Sequence, residues 1–178
     1  MKSILISIKP IHVANILDGR KTLEIRKSFP KYLENEPIEC YIYCSKGTKY
    51  KLYKNSHNKY WVNKNSENYL NGKVVAKFTL KKVEKIYFGE DYWKATDEPI
   101  NILEKACLSA RDITRYLNGE GYAWHISDLV IFDEPKELSD FKHCTEKTCI
   151  YGKCHKYMHC LKTLTKAPQS WCYVEAML

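Results

Sequence analysis

Ile4-Leu5-Ile6-Ser7-Ile8-Lys9-Pro10 and, after one short helix, Gly19-Arg20-Lys21-Thr22-Leu23-Glu24-Ile25-Arg26 are the residues on which the fold turns. The first run is short and β-branched, which predicts a strand, and Lys9-Pro10 ends it. Pro10 suits the first turn of a helix. Ile11, Val13, Ala14, Ile16 and Leu17 recur at helical spacing before Gly19, a good stop, so a helix is predicted over 10–18. Residues 22–26 then alternate polar and apolar. That periodicity predicts a strand with Leu23 and Ile25 on its buried face and Thr22, Glu24 and Arg26 lined up on the other.

Outward from this stretch, Ile38 to Cys44 reads as a strand, and 73–80 as another that continues toward Val83 and Ile86. Ala110 to Leu117 has helical character and stops near Asn118-Gly119. Tyr122 to Ile126, Leu129 to Phe132 and Ser170 to Val174 are further strands. About six short strands with two helices give an α+β, mainly β class, and a small closed or nearly closed barrel is the expected way to hide their edges. The 178 residues are the ordinary size of one domain, so 1–178 is read as a single unit. The composition, 44% hydrophobic and 28% charged, excludes a disordered or fibrous chain. Apolar runs fall far short of the roughly 20 residues that cross a bilayer. The N-terminus lacks the pattern of a secretory signal, and a cytoplasmic protein is expected.

Charge is unevenly placed within a net +8. Residues 46–73 hold seven lysines and one glutamate, a local +6, whereas 84–140 hold thirteen acids against six bases and 141–178 six lysines against two glutamates. A polyanionic partner is the commonest reason for such a positive surface, and the acidic stretch offers a face for a host protein. Residues 46–72 are a basic insertion with six asparagines, read in part as a mobile loop. Lysines beside Tyr50, Tyr53, Tyr60, Trp61 and Tyr69 combine phosphate attraction with stacking surfaces, as single-strand binders do.

Four of the eight cysteines, Cys144, Cys149, Cys154 and Cys160, cluster in a cysteine-rich segment, 142–166, with His143, His155 and His159 among them. Four soft ligands in a short loop suit a tetrahedral structural zinc, with a histidine or Cys172 as alternative ligands. Cys40 and Cys44 share a strand face and read as core. About one zinc per chain is expected by elemental analysis of protein made without added metal. Zinc well below one equivalent, with all four clustered thiols titratable in the folded state, overturns that expectation. No phosphate-binding glycine loop, metalloprotease helix, nucleophile elbow or dinucleotide fingerprint occurs, which argues against energy-driven and redox functions.

The stretch from Ile6 to Pro10, the helix, and Ile16-Leu17-Asp18-Gly19-Arg20-Lys21-Thr22-Leu23-Glu24-Ile25-Arg26-Lys27 resemble the signature of the ASCH family, whose motif is a glycine, a lysine and then Glu-x-Arg. Residues 122–129 and 168–174 resemble a phage- and prophage-associated branch of it. The resemblance implies a PUA-like β-barrel that binds RNA or another nucleic acid in a cleft floored by the motif. With the motif residues Lys21, Glu24 and Arg26, the residues Lys9, Thr22, Lys27, Tyr122 and Trp124 make up the expected nucleic-acid-binding set. In physical terms Lys21 and Arg26 offer donors to phosphate or base edges, and Glu24 either pairs with one of them or accepts from an exocyclic amine. The alternative is a structural Glu24–Arg26 ion pair across the barrel mouth. Tyr122 and Trp124 share a strand face, either stacking a base or, for Trp124, filling the core, while His125 faces the other way. Some family members are enzymes, and a hydrolase on RNA or on N4-acetylcytidine, with Lys21 and Glu24 as its catalytic pair, is the rival expectation. The acetylcytidine members place a threonine three residues after the lysine. Here Glu24 stands in that place, which argues against acyl transfer.

Overall fold

In a computed structural model the described residues are 3–34, 36–47, 49–65, 67–96, 100–143 and 161–176. Strand β1 (Ser3–Ile8) leads into α1 (Pro10–Leu17), β2 (Leu23–Arg26) and β3 (Ile38–Cys44). Next come β4 (Lys51–Lys54), β5 (Tyr60–Asn63), β6 (Val74–Gly89) and β7 (Tyr92–Ala95). Helices α2 (Ile102–Ala106) and α3 (Ala110–Leu117) precede β8 (Glu120–Lys136), β9 (Phe141–His143), β10 (Lys162–Thr163) and β11 (Trp171–Ala176). The protein is mainly β with three helices among the described residues, the predicted class. None of these helices is long and apolar enough to cross a membrane.

Among the described residues the main sheet runs β10-β9-β11-β1-β3-β6-β8-β2, with β7 added to β6, so it has nine strands there rather than about six, and it is open. Among the described residues no backbone pairing joins β2 to the β1 side. Arg26 spans that gap with a side chain instead, donating from Nη2 to the Ser7 carbonyl at 2.8 Å. Part of the difference in strand number lies in short strands, β7, β9 and β10, that carry no strong periodicity. Part runs the other way: the two segments predicted at 122–126 and 129–132 are one strand, β8. Asp128 takes a left-handed conformation inside it (φ 48°) and pairs with Lys81 at 2.7 Å, a kink that reads in sequence as a turn.

Strand β1 pairs parallel with β3 and antiparallel with β11, and it is buried on both faces, as its unbroken apolar run requires. Ile4, Ile6 and Ile8 meet Val13, Ala14, Ile16 and Leu17 of α1 in the main core, with Cys40 and Cys44 of β3. Both thiols are fully buried, and burial pushes that of Cys44 up to about 12. Ile11, expected on the apolar face of α1, is exposed. On the other side of β2, Leu23 and Ile25 pack with Ile102, Ala106, Ile113 and Leu117, which seats α2 and α3.

The insertion is not a loop throughout. β4 and β5 form a two-stranded ribbon that packs on α1, with Leu52 and Tyr60 buried in the main core. The buried Asn71 carboxamide fastens it, accepting from the Leu52 amide at 2.8 Å and donating to the Tyr50 carbonyl at 2.9 Å. Cys144, Cys149, Cys154 and Cys160, with His155 and His159, lie outside the described residues; the flanking β9 and β10 pair antiparallel, His143 opposite Lys162.

Candidate functional site

Helix α1 ends at Asp18, and Gly19 takes a left-handed conformation (φ 74°) that few other residues adopt cheaply. The amides of Arg20 and Lys21 both bond the Asn15 carbonyl at 2.9 Å, which reverses the chain and delivers Lys21 inward. Lys21 is 2% exposed. Its ammonium donates to the Leu23 carbonyl at 2.7 Å and to the Ala106 carbonyl, at the end of α2, at 2.8 Å. The third partner is Glu24, at 3.2 Å from its Oε2. All three protons of the ammonium therefore face protein oxygens.

The other oxygen of Glu24 lies 2.9 Å from Arg26 Nη2. Glu24 and Arg26 are each 6% exposed, so the sequence motif is a buried chain of three charges, Lys21–Glu24–Arg26. Burial alone would raise the Glu24 carboxyl, but Lys21 and Arg26 outweigh it and hold the group below the usual carboxylate range. Arg26 also donates from Nη1 to Ser170 Oγ at 3.1 Å, and its Nε, fully buried, has no hydrogen-bond partner among the described residues. His12 on α1 resembles it in this, with a buried, unpartnered Nδ1. Burial lowers the His12 pKa, so at neutral pH its ring is uncharged.

These groups line a cleft of about 700 Å³ between the start of α1, β2 and α3. Lys9 stands at its rim, and α3 supplies Asp112, Arg115 and Tyr116. Lys27 is exposed just outside, its Nζ 5.4 Å from the Tyr116 ring centre. Of the residues expected from sequence, Lys9, Lys21, Glu24 and Arg26 meet in the cleft and Lys27 touches its wall. Thr22 does not join the polar face of β2: it precedes the strand, is exposed, and bonds through its amide to the Lys105 carbonyl. Trp124 is 0% exposed within the main core, its indole N–H donating to the Ser28 carbonyl at 3.2 Å, which answers in favour of core over stacking surface. Tyr122 is half-buried against Phe29 and lies outside the cleft lining. His125 points to the opposite face, as predicted, where its Nε2 lies 2.6 Å from the buried Glu84 carboxylate.

No protein-family model matches the chain, and no curated protein is significantly similar to it. Solved structures are. The crystal structure of ASCH from Zymomonas mobilis superposes with a TM-score of 0.51 at 16% identity, over 97% of this chain and 87% of that one. Two mutant proteins of it give TM-scores of 0.53 at 15% identity, covering 97% and 98% of this chain and 88% and 91% of theirs. The fold is that of an ASCH domain. At this identity the likeness concerns the fold alone, and the chemistry of the cleft has to be read from its own side chains.

The floor of this cleft has its charges already satisfied: Lys21 and Arg26 both pair with Glu24. The sequence pointed to the floor but missed the wall and His12. Asp112, Arg115 and Tyr116 follow the i, i+3, i+4 spacing of one helix face, opposite the buried Ile113 and Leu117, and that periodicity was the available signal. His12 carried none, because a lone histidine in an apolar helix reads equally well as core. Cys107, also lining the cleft, caps α2 in a left-handed conformation (φ 49°).

Proposed function

We propose that the protein binds RNA, or a nucleotide within it, in this cleft. The observation that carries the reading is the cationic rim over a fixed floor: Lys9 and Arg115 at the edge of about 700 Å³, with Tyr116 beside them and buried Arg26 Nε and His12 Nδ1 unpartnered inside. That volume lies within the range of small-ligand sites, about 300–1,000 Å³. Rim cations attract phosphate, Tyr116 offers a ring for stacking, and the two unpartnered nitrogens are where a base or sugar regains the bonds it loses on leaving water. Lys21 and Glu24 take a different part from the one their charges suggest. With every polar atom engaged, they position Arg26 and shape the floor. A general base must take up a proton, and Glu24 is held in its ionised form by two cations. The ASCH fold and the motif support this reading, and the activity of any relative adds nothing to it.

The test is titration of the protein with a single-stranded RNA 20-mer and with a nucleoside monophosphate at two salt concentrations, alongside the Lys9→Ser, Arg115→Ser double variant. Both substituted residues serve the rim and neither holds the fold. Loss of two charge-assisted contacts is expected to weaken nucleotide binding at least tenfold. Undetectable binding at low salt, or wild-type affinity in the double variant, sinks the proposal. Incubation with N4-acetylcytidine in the same series is expected to give no product; multiple turnover would promote the hydrolase reading instead.

A further inference from the structure

Away from the cleft, the β4–β5 ribbon carries a feature that cleft binding does not use. Leu52 and Val62 lie opposite one another and face the core, as does Tyr60, whose partner Lys54 shares that side of the pleat at the exposed end of the ribbon. The alternation turns the pairs Tyr53–Trp61 and Lys51–Asn63 outward. Trp61 is 54% exposed, and Tyr53 stands directly across from it. Lys51 Nζ sits 4.3 Å from the centre of the exposed Tyr69 ring. Aromatic faces and ammonium groups are thus interleaved on one surface.

The lysines on and beside the ribbon differ from those along β6 and β7. Lys73, Lys77, Lys81, Lys82, Lys85 and Lys94 each pair with a carboxylate. Lys46, Lys49, Lys51, Lys54, Lys59 and Lys64 have no such partner among the described residues. Six uncompensated charges on and beside one small ribbon repel each other unless a polyanion neutralises them. The ribbon is also stiff. Leu52 and Tyr60 are sunk in the core, the Tyr60 amide donates to Asp18 at the end of α1, and Asn55 closes the turn by accepting from the His57 and Lys59 amides. A stiff platform loses little entropy on binding.

We infer that the outer face of the β4–β5 ribbon is a second nucleic-acid site, which holds single-stranded RNA by stacking bases on Trp61 and Tyr53 while Lys49, Lys51 and Lys59 neutralise its phosphates. Charge complementarity selects a polyanion, and the outward-facing pair of exposed Trp61 and half-buried Tyr53 selects one whose bases are unpaired, because bases within a duplex have no free face to stack. Lysines in place of arginines give point charges without bidentate geometry, so the site is indifferent to sequence. Its position suits a strand that leaves the cleft. Ser45 lines the cleft, the chain enters β4 six residues later, and α1, about 12 Å long, has Lys9 at the cleft and its other end against the ribbon.

The experiment measures binding of a labelled oligouridine 20-mer, and of heparin as a polyanion without bases, by Trp61→Ala and by the triple variant Lys49→Ser, Lys51→Ser, Lys59→Ser. All four positions are at the surface, and thermal melts confirm that both variants remain folded. The triple variant is expected to lower the slope of log affinity against log salt by about 2, three phosphates at about 0.7 each on single strands. Trp61→Ala is expected to weaken oligouridine binding about tenfold or more while leaving heparin binding unchanged. Wild-type affinity and slope in both variants overturn the inference. So does a Trp61→Ala variant that binds oligouridine as tightly as wild type while the lysine variant loses heparin and RNA equally, since the ribbon is then a surface for any polyanion, acidic proteins included. Failure here leaves the cleft reading intact, because that one is decided by nucleoside monophosphate binding and the Lys9, Arg115 variant.

Discussion

Lys21→Met is expected to destabilise the protein by about 3–5 kcal/mol, because it removes one partner of a buried ion pair and leaves the others uncompensated. The ammonium satisfies the Leu23 and Ala106 carbonyls and one oxygen of Glu24, at a cleft floor where Lys21 itself is 2% exposed. Methionine fills the space without donating. For a chain of this length a loss of that size lowers the melting temperature by roughly 10 °C, measured by circular dichroism. Arg20→Ser, one residue earlier, is the control: its pair with Asp18 is solvent-exposed and should cost well under 1 kcal/mol. A Lys21→Met protein that melts within a degree of wild type would show that the three-charge floor is not structural. Glu24 adds a pH dependence to the same test. Its folded pKa is depressed, so its contribution is fully present above the ordinary carboxylate value of 4.5 and is lost as pH falls through the folded value. The stability gap between wild type and Glu24→Gln should therefore be constant near neutrality and narrow below that point.

Lys21 marks the boundary of what the sequence could disclose. Periodicity was enough for β1, α1, β2 and α3, and Glu24 and Arg26 did turn out to share a face, because both facts depend on neighbours a few residues away. The burial of Lys21 depends on the Ala106 carbonyl, 85 positions on, at the end of a five-residue helix too short to show a period. The ribbon failed to announce itself for a related reason. Its asparagines and lysines read as a loop, and the few apolar residues that tie it to the core, Leu52, Tyr60 and Val62, are scattered through a polar stretch. In β8 the local signal misled, since Ser127-Asp128 has turn chemistry while the ladder to β6 carries the strand past it. Closure of the barrel was expected from edge protection, a general argument. The protein meets the same need at the β1–β2 gap with a guanidinium rather than with backbone pairing.

Trp124→Ala is expected to cost about 3–5 kcal/mol, the range for emptying a fully buried large side chain. Trp124 meets Trp171 edge to face at 5.7 Å, and Trp171 meets Tyr173 in the same manner at 5.5 Å. Both indoles also end on Ser28, Trp124 on its carbonyl and Trp171 on its hydroxyl, each at 3.2 Å. Truncation therefore opens a cavity, strands a carbonyl and loosens β11 against β8. Trp124→Phe keeps most of the volume and loses the bond to Ser28, so its cost should be a fraction of the alanine value. Urea denaturation of the two variants measures both. A stacking role gives the reverse pattern: Trp124→Ala would weaken RNA binding at nearly unchanged stability. Because the indole is wholly enclosed, RNA affinity measured well below the melting temperature should stay within about twofold of wild type in Trp124→Phe, while stability alone falls.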